Sequence, residues 1–143
     1  MIESICGKVK SVRSDSGAVV VDVGGIGFSV RVPQTDFVEI GKDICIFSYL
    51  HWNQEKGPSL FGFNAEADRQ VFLILIDCSG IGPSVALSIL AQMSAGKFLD
   101  VVTSQNEKEL SSINGIGPKK AEQIIVHAKH KVQKLIESGV AIN

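Results

Sequence analysis

Between Ile113 and Ile125 the chain reads INGIGPKKAEQII, and between Cys78 and Leu90 it reads CSGIGPSVALSIL. At a constant offset of 35 residues, Gly80, Ile81, Gly82, Pro83, Ala86 and Ile89 recur as Gly115, Ile116, Gly117, Pro118, Ala121 and Ile124. Self-similarity at a constant spacing marks a duplicated structural unit. Each copy has the order helix, Gly-Ile-Gly-Pro, helix. Two glycines let the chain reverse sharply and allow positive φ. A proline suits the first helical turn, where its missing amide hydrogen costs nothing. The isoleucine between the glycines points inward and pins the loop. What stays exposed is a set of unpaired N–H groups at the positive end of a helix, an arrangement that favours an anion. Lys119 and Lys120 add charge at the second copy.

The anion is not a nucleotide cofactor. A dinucleotide fingerprint needs a third glycine at position 120 and a preceding strand, and a P-loop needs Gly-Lys-Ser/Thr. Neither is present. Two such turns side by side would instead grip two backbone phosphates of a nucleic acid without reading bases. A purely structural αα-turn is the competing reading, and duplication with lysines argues against it.

Outward from these turns, the chain changes character once. SICGKVKSVR, GAVVVDV, FSVRV, DICIFSYLHW and LFGF alternate and are rich in Val, Ile and Phe, with glycines between them. Five short strands at this spacing predict a small OB-like barrel over residues 1–63. From Asn64 onward the apolar period is helical. It predicts helices over 66–76, 84–92, 94–102, 106–112 and 119–137, a second domain over 64–143. The last helix should bury Ala121, Ile124, Ile125, Ala128, Val132, Leu135 and Ile136 on one face. Lys120, His127, Lys131 and Lys134 form a stripe beside it.

The net charge of −1 does not announce a nucleic-acid partner. From Asn114 to Lys134, however, five lysines face one acid, Glu122, a local balance of +4. Local patches decide phosphate attraction more than totals do. Cys6, Cys45 and Cys78 lie far apart among apolar or small residues, and are expected to be buried free thiols. His127 and His130 have no third ligand nearby, so no metal and no cofactor are expected. The longest apolar run, Val71 to Ile76, is too short for a membrane span, and the N-terminus lacks a signal peptide's apolar core, which predicts a cytoplasmic protein.

The paired Gly-Ile-Gly-Pro units are similar to helix-hairpin-helix motifs. Their position after a barrel that starts MIESICGKV, contains GGIGFSVRVP and ends LFGF resembles the bacterial RuvA family over the whole chain. That resemblance implies a homotetramer whose four copies hold an open four-way DNA junction and recruit the hexameric ATPase RuvB. The family member itself is not an enzyme. It implies phosphate contacts at Gly80, Ile81 and Gly82 of the first hairpin, and at Gly115, Ile116, Gly117 and Lys119 of the second. Lys120 joins them by position. Three departures stand out. Ser84 occupies a place that is usually basic, so a hydroxyl and backbone amides would serve there. In the loop WNQEKGPS, Glu55 matches one member of the family's acidic pair at the junction centre, the pin, while Lys56 replaces the other. The family continues into a third, helical domain that binds RuvB, whereas this chain ends at LIESGVAIN.

Two other classes compete. Some DNA glycosylases share the hairpin but need an Asp in the segment after it; beyond Lys119 the acids are Glu122 and Glu137. A protein-interaction scaffold, or a generic duplex-binding module, would lack a salt-sensitive preference for junctions.

Overall fold

The computed structural model describes residues 1–140, and the last three positions of the predicted second domain, 141–143, lie outside them. The chain divides into two compact units, Met1–Ala65 and Glu66–Asn143.

The first unit is a closed barrel of five strands: β1 (Ser4–Arg13), β2 (Ala18–Val23), β3 (Ile26–Arg31), β4 (Asp43–Asn53) and β5 (Gly57–Phe63), ordered β1-β2-β3-β5-β4. The predicted strands are all present. Alternation places Ile5, Val9, Val19, Val21, Val30, Val32 and Ile46 in the interior. Burying each such side chain contributes about 1.5–3 kcal/mol. Strand β1 serves two neighbours: its first half pairs with β4 and its second half with β2. It must bend to do so. A bulge between Val9 and Ser11 supplies curvature. Gly7 supplies room, since a Cβ there would stand 2.2 Å from the Asp22 carbonyl oxygen. The one buried polar side chain among the described residues, Ser48, donates to the Ile2 carbonyl at 2.7 Å.

The expectation of three buried thiols is corrected here. Cys78 is buried and free, but Cys6 and Cys45 are exposed and joined as a disulfide. Because Ile5 and Ile46 face the core, their neighbours Cys6 and Cys45 must face outward, and antiparallel register sets them opposite each other.

The second unit holds α1 (Glu66–Asp77), α2 (Pro83–Gln92), α3 (Ala95–Thr103), α4 (Glu107–Ser111) and α5 (Pro118–Glu137). Ser94 caps α3 by accepting from the Lys97 amide, and Asn106 caps α4 by accepting from the Glu109 amide. Helix α5 buries Ala121, Ile124, Ile125, Ala128, Val132 and Leu135. Ile136 departs from the expected face and is 42% exposed. It falls on the flank of the stripe in the final turn. No single helix is long and apolar enough to cross a membrane.

Candidate nucleic-acid interface

The two Gly-Ile-Gly-Pro turns have the same backbone. Gly80 and Gly115 take positive φ, 81° and 91°, which an L-residue adopts only with strain. The Ile81 amide donates to the Cys78 carbonyl at 3.1 Å, and the Ile116 amide to the Ile113 carbonyl at 3.0 Å. Both isoleucine side chains are buried, at 5% and 3% exposure. Ile81 and Ile116 therefore anchor the turns and spend their own amides on them; neither offers a donor to a ligand.

Gly82 and Gly117 are the N-caps of α2 and α5, with φ −91°, ψ 175° and φ −83°, ψ 173°. Their carbonyls accept from Ala86 at 3.0 Å and Ala121 at 2.9 Å. Pro83 and Pro118 follow at the first helical position, as the sequence predicts. Neither helix has a side-chain cap hydrogen bond, so among the described residues no capping side chain satisfies the first-turn amides. The amides of Gly80, Gly82, Gly115 and Gly117 likewise have no intramolecular acceptor among the described residues.

One detail separates structural glycines from the others. Gly82 and Gly117 have extended backbones that any residue adopts, and a Cβ built at either would meet nothing within 4 Å. Folding does not require glycine there. An incoming group that must approach the backbone closely does.

Around the first turn Ser84 is exposed and offers a hydroxyl; around the second, Lys119 is exposed and Lys120 half-buried. The stripe on α5 behaves differently from its appearance in the sequence. Lys131 is ion-paired with Asp77 at the end of α1, and Lys131 and Lys134 border a groove with Gln70, Leu73 and Ile74 of that helix. The Lys131 charge is thus already paired within the fold. Gln92, which sequence reasoning missed, ties the C-terminal end of α2 to the second turn. Its Nε2 donates to Ser88, and its Oε1 accepts a long, 3.5 Å bond from the Asn114 amide. No sequence signal marks it, because the contact spans 22 residues and depends on how α2 packs.

Glu55 lies in the other unit, in the exposed turn between β4 and β5. Asn53 Oδ1 accepts from the Glu55 and Lys56 amides at 2.8 and 3.0 Å, which gives the turn a defined shape. Among the described residues no three His, Cys, Asp or Glu side chains gather as a metal-ligand group.

These two units match known families separately. Residues 1–62 match the RuvA N-terminal domain, and residues 72–131 match the SAM-like helix-hairpin-helix tandem. Over 141 residues the chain is 36% identical to the Holliday junction branch migration complex subunit RuvA of Actinobacillus pleuropneumoniae serotype 5b, covering 96% of this chain and 69% of that one. The chain belongs to the RuvA family. RuvA of Bifidobacterium longum subsp. infantis is 37% identical over 134 residues, 92% of this chain and 63% of the relative. RuvA of Geobacter metallireducens is 37% identical over 121 residues, 82% and 60% respectively. The chain thus spans roughly three-fifths to two-thirds of the length of these RuvA relatives.

Proposed function

We propose that this chain binds four-way DNA junctions through backbone phosphates, without reading base sequence, as the junction-binding subunit of a branch-migration complex in recombination and repair. The observation that carries this reading is the pair Gly82 and Gly117. Both are glycines that folding does not need, each beside uncapped helix amides. Each turn presents one phosphate with N–H donors at a helix N-terminus. Lys119 and Lys120 supply charge at the second turn, and Ser84 a hydroxyl at the first. The name carried by the relatives, Holliday junction branch migration complex subunit, supports a junction as the DNA substrate.

In this reading the protein is a non-catalytic, cytoplasmic homotetramer. ATP-driven motor activity belongs to a partner, the RuvB ATPase. Phosphate binding here needs neither metal nor cofactor. Glu55 would stand at the junction centre and repel strands, with Lys56 weakening that repulsion. Residues Gly80 and Gly115 shape the turns, Ile81 and Ile116 anchor them, and Gly82, Gly117, Ser84, Lys119 and Lys120 meet the DNA.

The test is a gel-shift comparison of a four-way junction with a linear duplex of equal length, titrated against salt. The expected result is a junction preference that salt weakens and Gly117→Asp abolishes. Equal weak binding to both would reduce the protein to a generic duplex-binding module. Binding to neither would leave the turns a packing role and make a protein-interaction scaffold the better account.

A further inference from the structure

The β1-β2-β3 meander and the β4-β5 hairpin meet along two seams. The β3–β5 seam holds two residue pairs, Val30 with Leu60 and Arg31 with Phe61. The β1–β4 seam runs from Ser4 opposite Phe47 to Lys8 opposite Asp43, and its central pair is Cys6 opposite Cys45. Barrel closure therefore rests chiefly on the β1–β4 ladder. Along it the Ser48 amide donates to the Glu3 carbonyl and the Val9 amide to the Lys42 carbonyl. Alternation from those bonds puts Cys6 and Cys45 at a non-hydrogen-bonded position, where facing side chains come closest. Their Cα atoms are 4.0 Å apart, and both residues are exposed.

We propose that Cys6 and Cys45 form a reversible redox modification site, a solvent-accessible staple across the main seam of the barrel. A low-molecular-weight thiol opens it: the thiolate attacks one sulfur, forming a mixed disulfide and releasing the other cysteine as thiolate. A second thiolate attacks the mixed disulfide, releasing the remaining cysteine thiolate and a low-molecular-weight disulfide. Protonation of the two cysteine thiolates completes the balance, and the same small disulfide drives the reverse reaction. The third cysteine stays out of this exchange. Cys78 is buried, its thiol donates to the Ile74 carbonyl, and burial foremost holds it protonated beyond the usual thiol range. Closed, the staple links strands that 39 residues of chain would otherwise leave free to separate in the unfolded state. Open, only ladder hydrogen bonds and core packing hold β4, and with it the turn carrying Glu55, against β1.

The experiment uses the full chain, incubated natively with excess glutathione disulfide or with dithiothreitol, then denatured and alkylated. One reactive thiol is expected after the oxidant and all three after the reductant, with each state convertible to the other. Reduction should lower the barrel's Tm by about 10 °C in the wild type and leave the Cys6→Ser/Cys45→Ser variant unmoved. Three reactive thiols after the oxidant would overturn the proposal. So would a thermal shift equal in both proteins.

Discussion

Gly82 and Gly117 stand 35 positions apart and share one backbone shape, extended and facing open space, while Gly80 and Gly115 two residues earlier share a left-handed one. The two pairs are glycine for different reasons, and that difference can be measured. Gly82→Ala and Gly117→Ala should change stability by no more than about 0.5 kcal/mol, since the freedom lost by the unfolded chain offsets glycine's advantage over alanine at an N-cap. Each should still weaken junction binding about tenfold, the scale of one lost hydrogen bond to a charged group. Gly80→Ala and Gly115→Ala should cost about 1 kcal/mol in strain. Urea titration read beside gel shifts separates the two effects.

Lys119→Ala and Lys120→Ala should each reduce the slope of log affinity against log salt by about 1, the signature of one phosphate contact removed. Lys131→Ala should leave the slope unchanged, because Asp77 already holds that charge. A slope that falls equally in all three variants would return the whole α5 stripe to the interface.

Gly7→Ala should be among the more damaging single changes in the barrel. The added Cβ would collide with backbone, the Asp22 carbonyl, rather than with a side chain that can rotate away. A loss of about 2 kcal/mol or more is expected in urea unfolding, in line with overpacked cores. Gly24→Ala meets nothing within 4 Å and is limited to the strain of its positive φ.

Cys78 supplies a pH test, made on oxidised protein so that the other two cysteines do not titrate. Burial raises its thiol above the usual value, with Asp77 adding to the shift and Lys131 opposing it. A group raised in the folded state contributes its full share of stability below its unfolded pKa. That share is lost as pH climbs through the folded value. Stability should therefore decline on the alkaline side of the thiol range, and Cys78→Ala should remove that part of the decline. Native Cys78 should also resist alkylation that proceeds readily in urea.

The barrel strands were legible because half-buried strands alternate, as SICGKVKSVR and GAVVVDV do. The hairpins were legible because a repeat with Gly-Ile-Gly-Pro leaves few conformations open. Local chemistry, read residue by residue, settled where helices start, that Ile81 and Ile116 turn inward, and which turns offer free amides. It could not settle matters that arise from register and packing between distant segments. Cys6 and Cys45 look like isolated small hydrophobes until β1 lies beside β4; only then does the pleat turn both outward and face them together. Lys131 looks like part of a basic stripe until α1 brings Asp77 to it. Gln92 has no signature at all until α2 packs near Asn114. Sequence by itself determined the elements and the two Gly-Ile-Gly-Pro turns at helix starts, since those follow from local dihedral preference and apolar period. Tertiary structure alone decided which charges remain free and which thiols meet, because both depend on contacts between residues far apart in the chain.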